Sequence, residues 1–171
     1  MIRRFFCALL AALLLSSGAF ADALPGLVRL QVVARSDSRA DQALKLQIRD
    51  ACLDCARICV SGAPDAETAY MRLWQHIPDF QNACEERARQ LGYTGNIQAE
   101  AGVFAFPDRI YGRVRVPAGE YPALRVTIGE GAGRNWWCVL YPDLCSLDES
   151  ARSIGDVIAW LRRRLGGDAD A

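Results

Sequence analysis

The chain has 171 residues, 51% of them hydrophobic, and its 20 basic and 20 acidic side chains leave no net charge. That balance excludes the basic footprint of a nucleic-acid-binding protein. The length suits one domain around a single core.

Residues 1–6 carry Arg3 and Arg4, residues 7–15 are an unbroken apolar run, and Ala19-Phe20-Ala21 is a small-x-small site. In that order these parts predict a secretory signal peptide over residues 1–21, cleaved after Ala21 or Ala23. A membrane-spanning helix needs about 20 apolar residues, more than this run supplies. Residues 22–167 are then the expected domain and residues 168–171 a short disordered tail. Export opens disulfide chemistry to Cys52, Cys55, Cys59, Cys84, Cys138 and Cys145, which allow 15 pairings. Cys138 and Cys145 flank one aromatic, turn-rich segment, and their short separation makes them the favoured pair.

Residues 27–34 are rich in β-branched side chains and predict a strand. Ser38 and Asp41 predict a capping box at a helix start. Residues 40–60 follow with Leu44, Ile48, Ala51, Cys52, Cys55 and Cys59 on one stripe, and Asp41 and Lys45 as an i,i+4 pair. Asp65 is the expected cap of a second helix with Tyr70, Leu73, Trp74 and Ile77 on its apolar face. Pro78 interrupts it, Asp79 re-caps it, and Gly92 ends it. The period then changes to two, with strands expected near residues 96–104, 109–116, 123–128 and 136–141. A C-terminal helix is expected from Glu149, carrying Arg162, Arg163 and Arg164 beside its apolar stripe. The order β-α-α-β-β-β-β-α implies an α+β single domain with a mostly antiparallel sheet.

Candidate chemistries are weak on spacing. Cys52-Leu53-Asp54-Cys55 has the redox spacing, but it lies inside a predicted helix, away from the N-terminal dipole that activates such thiols. The same thiols with Cys59 and Cys84 lack the paired turns of a structural zinc site, so they are read as core residues, with one of them bonded to Cys84. His76 is the only histidine and has no nucleophile motif beside it. Asp37 and Asp41 could form an acid–base pair, but turn and cap roles account for both. Gly129, Gly131 and Gly133 predict a hairpin turn, since no helix follows to hold a phosphate. The three arginines of the C-terminal helix allow a minor membrane-surface contact. Trp136 and Trp137 alternate across a strand, one expected inward and one outward. Beside Asn135, Tyr141 and Pro142, an outward tryptophan would suit an interface. No catalytic residue, metal ligand, cofactor or small-molecule substrate is expected.

Several separated segments together resemble the stage II sporulation protein R family. They are residues 30–38, Asp41 to Leu46, Arg49 to Ala51, Phe106-Pro107, Tyr111-Gly112, residues 117–121, residues 123–126, Gly129, Gly131, Asn135 to Val139, Pro142 and Leu144-Cys145. Arg35 and Asp143 depart from the family pattern, and Cys52, Cys55, Cys59 and Cys84 stand outside it. The resemblance implies a signal rather than an enzyme. Such proteins are exported from the forespore into the space between two membranes, where they activate a membrane-embedded aspartic protease of the mother cell. That protease then processes the sigma-E precursor. On this basis Asn135, Trp136, Trp137, Pro142, Ser36 and Asp37 are the expected partner-binding residues, supported by a Cys138–Cys145 disulfide. A secreted hydrolase using Asp37 and Asp41 is the alternative.

Overall fold

A computed structural model describes residues 26–112 and 114–142. The segments expected to be a signal peptide and a C-terminal helix with its arginines, and Cys145, lie outside the described residues. The chain runs β1 (Val28–Val33), α1 (Arg39–Val60), α2 (Ala66–Gln75), α3 (Ile77–Gln90), β2 (Ile97–Phe106), β3 (Arg109–Tyr111), β4 (Val114–Val116), β5 (Gly119–Ile128) and β6 (Asn135–Tyr141). This is the expected α+β architecture, with more elements than expected.

Four strands form the main sheet in the order β2-β5-β1-β6, and β3 and β4 form a separate two-stranded ribbon. β1 is central and buried along its whole length. It pairs in parallel with β5, from Arg29 opposite Ala123 to Val33 opposite Thr127. The β1–β6 and β2–β5 pairings are antiparallel. The parallel pairing follows from the helices, which carry the chain from β1 across to the far edge of the sheet before it returns beside β1.

Alternate residues feed two cores. Val28, Leu30, Val32, Leu124, Val126, Ile128, Cys138 and Leu140 face the helices. There they meet Ile48, Cys52, Leu53, Ala56, Leu73, Phe80, Cys84 and Ala88. Leu27, Tyr121, Ala123 and Val139 join a second cluster with Phe106, Val114 and Val116. β2 is an edge strand, and its open backbone groups would cost free energy if buried unpaired. Gln81 of α3 answers this: its amide donates to the Ile97 carbonyl at 2.5 Å and accepts from the Ala99 N–H at 2.7 Å.

Several local expectations change. Ser38 caps α1 as expected, accepting from the Asp41 N–H. The Asp41 carboxylate, however, accepts from the Ser36 hydroxyl at 2.5 Å, so the cap hydroxyl and the acid serve different partners. Asp41 and Lys45 are not an ion pair, because Lys45 turns inward. Its Nζ donates to Gln42 Oε1 at 2.7 Å and to the Arg134 carbonyl at 3.0 Å. The second helical stretch breaks at His76, which ends α2 and precedes α3, while Pro78 sits in the first turn of α3. A missing N–H costs nothing there. Asp79 does not re-cap the backbone; it takes the His76 Nδ1 contact at 2.7 Å. Trp74, expected on the apolar face of α2, is 56% exposed. The strand expected over residues 109–116 folds back at Gly112 into β3 and β4.

Candidate functional site

The site lies where β1 ends and β6 begins. Residues 34–38 and 129–134, about a hundred positions apart, are tied together by backbone bonds. The Ala132 N–H donates to the Arg35 carbonyl at 3.2 Å, and the Gly133 N–H to the Ala34 carbonyl at 2.9 Å. Gly129 starts the glycine turn with φ +57°, a conformation that glycine enters without strain. At Gly133 the reason is space: a Cβ would stand 2.3 Å from the Ser36 carbonyl oxygen.

Side chains complete the turn pair. Asp37 Oδ1 accepts from the Arg134 N–H at 2.7 Å and from Arg134 Nε at 3.3 Å. Gln42 Nε2 donates to the Ser36 carbonyl at 2.9 Å and to Asp37 Oδ1 at 3.3 Å. Lys45, buried, bonds Gln42 and the Arg134 carbonyl from below, and burial pulls its ammonium below the ordinary range. The Ser36 hydroxyl is the main reason that the Asp41 carboxylate stays below its usual range. Both acids are therefore occupied as acceptors. Turn and cap bonds thus account for both carboxylates, and the arrangement does not single them out as an acid–base pair.

Asn135, exposed, starts β6 opposite Val33. Trp136 and Trp137 follow on opposite faces, as alternation requires. Both faces are covered, so both rings are half-buried and neither stands free. Trp136 packs against the helical core, with the Arg49 guanidinium 5.1 Å from its ring centroid. Trp137 joins the second core and meets the Phe106 ring edge-on at 5.0 Å. Cys138, buried, is disulfide-bonded; its expected partner, Cys145, lies outside the described residues. Pro142, half-buried, follows a cis peptide bond at the end of β6.

Sequence reasoning missed Arg29. Its side chain is 0% exposed, under the β3–β4 ribbon. Its guanidinium lies 4.2 Å from the Phe106 ring centroid, 5.0 Å from that of Tyr121 and 5.9 Å from that of Tyr111. Nη2 donates to the Tyr111 hydroxyl at 2.9 Å, while Nε and Nη1 have no hydrogen-bond partner among the described residues. Burial pulls this guanidinium below its ordinary range. A basic residue in a strand otherwise apolar but for Gln31 was the available signal. Phe106, Tyr111 and Tyr121 thus rest on one buried cation, with Trp137 packed on Phe106, and the Tyr121 hydroxyl anchors the preceding turn by donating to the Pro117 carbonyl at 2.9 Å.

The other candidates do not assemble. His76 and Asp79 pair on an exposed helix junction. Burial raises the Cys55 and Cys59 thiols, and the nearby Asp79 carboxylate raises them further, the reverse of what a nucleophile needs. Among the described residues no cluster of histidine, cysteine or acid side chains is arranged to hold a metal ion, and no helix is long and apolar enough to cross a membrane.

The family described as stage II sporulation protein R matches residues 25–151. Stage II sporulation protein R of Bacillus subtilis (strain 168) is 38% identical over 123 residues, an alignment covering 72% of this chain and 55% of that protein. The chain thus spans about half the length of that relative. No solved structure matches the chain.

Proposed function

This chain belongs to the stage II sporulation protein R family, and on that premise we propose that it is the secreted signal that switches on a membrane-embedded aspartic protease during sporulation. A role in sporulation follows from the family. In the proposed scheme residues 1–21 direct export from the forespore, and the domain acts in the space between forespore and mother cell. The protease then processes the sigma-E precursor. The chain performs no chemistry of its own; it supplies a rigid surface.

One observation carries this proposal. Residues of the family resemblance that are far apart in sequence converge on one end of the sheet: Ser36, Asp37 and Gln42 bond one another, Asp37 accepts from the Arg134 N–H next to Asn135, and Asn135 continues the surface into Trp136 and Trp137. Their polar groups bond one another, which pre-organises the surface and lowers the entropic cost of docking. A Cys138–Cys145 disulfide would hold the far end of β6 in the same way.

The test is reconstitution. The protease and the sigma-E precursor are co-expressed in a non-sporulating host, and this chain is supplied outside the membrane. Shortening of the precursor that depends on the chain is the expected result. An unprocessed precursor, with folded chain present and a related activator working in parallel, would overturn the proposal.

A further inference from the structure

Cys52, Cys55 and Cys59 on α1 and Cys84 on α3 are free thiols. The sequence leaves their pairing open, whereas the packing sorts them. Cys52 and Cys84 are both 0% exposed in the helical core, and their thiols are hydrogen-bonded to one another across the α1–α3 interface. Cys55 and Cys59 hydrogen-bond each other along one helix and are only half-buried.

These two pairs differ in what they can become. Residues four apart on a helix hold their Cβ atoms about 5–6 Å apart. A disulfide needs about 3.5–4.5 Å, so joining Cys55 to Cys59 would distort a turn of α1. Cys52 and Cys84 approach from two separate helices, whose packing can adjust without breaking a backbone bond. Their bond would also close the whole segment from α1 through α2 to α3, and a long loop restrains the unfolded chain more than a short one.

We propose that Cys52 and Cys84 form a disulfide that staples α1 to α3 when the chain folds under oxidising conditions. Each thiol loses its proton, one S–S bond forms, and two electrons pass to a disulfide oxidant of the glutathione or exchange-protein class, which is reduced to two thiols. The bond forms before the core closes. In the folded reduced protein the Cys84 hydrogen bond and burial keep the Cys52 thiol protonated, burial pushes the Cys55 thiol up to about 11, and protonated thiols exchange slowly. The inference does not depend on the signalling role.

The test starts from chain refolded in reduced and oxidised glutathione, alkylated, digested without reduction and analysed by mass spectrometry. A cross-linked peptide joining Cys52 to Cys84 is expected, with Cys55 and Cys59 alkylated. Recovery of Cys52 and Cys84 as alkylated peptides, or linked to other cysteines, would overturn the proposal. A second readout separates the staple from the Cys138 disulfide. Reductant should lower the melting temperature of the wild-type chain by about 10 °C more than that of Cys84→Ala; an equal drop in both would count against the staple. Should Cys84→Ala fail to fold, the peptide map of the wild-type chain decides alone.

Discussion

The two faces of the β-sheet use the same strands and close in different ways. The helical face is aliphatic: Leu30, Val32, Leu124 and Val126 are buried beneath three helices. On the opposite face a two-stranded ribbon covers one end, and arginines stack on rings. Arg29 lies against Phe106 and Tyr121. Arg125 lies 3.7 Å from the Phe104 ring centroid and donates through Nε to Gln31 Oε1 at 2.8 Å. Buried area holds the first face, at about 1.5–3 kcal/mol per large side chain. The second has less cover, so it fills with long side chains whose charge is offset by ring faces. Of the two tryptophans of the candidate surface, Trp137 rests on this second face and Trp136 on the first.

Truncation on the helical face should have the largest effect. Leu30→Ala should cost about 3 kcal/mol in chemical denaturation, through lost transfer energy and a cavity beneath α1. The turn joining both faces comes next: Gly133→Ala drives a Cβ into the Ser36 carbonyl and should cost about 2 kcal/mol, with a matching loss of signalling. Arg29→Met sharpens the contrast. It removes a guanidinium with two unpaired donors, and an apolar replacement of similar length should change stability by less than about 1.5 kcal/mol. A loss above about 3 kcal/mol would mean that the cation, not the rings, holds the second face together. The smallest effect is a pH dependence. The Asp41 carboxylate is depressed by its Ser36 hydrogen bond, so its contribution is complete above the ordinary carboxylate value of about 3.9 and is lost as pH falls below it. Ser36→Ala should flatten that part of the acid unfolding curve; an unchanged curve would deny the bond any weight.

The regular elements were legible because their periods are clean. α1 shows a stripe at spacings of three and four, and β1, β5 and β6 alternate between two covered faces. Capping by Ser38 and Asp65 was legible because each is a local bond of three residues. The break at His76 was missed because Pro78 is tolerated in a helix's first turn, which moves the boundary upstream of the proline. The split into β3 and β4 was missed because a continuous run of alternating residues hides a reversal at one glycine. In the site, residues 36 and 37 were proposed from the resemblance and 135–137 from the resemblance and the alternation of the aromatic strand, but the bonding between residues 34–38 and 129–134 spans about a hundred positions, which no local pattern encodes. Lys45 was misread and Arg29 missed for one reason: a charged side chain in an amphipathic pattern is expected to face water, and here each is drawn inside by specific partners.

The central claim is that the bonded turn end, together with the start of β6, is the surface that the protease meets. Trp136 and Trp137 are half-buried, so replacing them would disturb folding and recognition together. Asn135 and Arg134 are exposed and separate the two. The decisive measurement is sigma-E precursor cleavage in the reconstituted system with Asn135→Lys and Arg134→Ala chains whose melting temperatures match wild type. Cleavage lost or reduced at least tenfold in Asn135→Lys, and weakened in Arg134→Ala, is the predicted result. Full cleavage with both would contradict the claim and move the contact to another face of the molecule.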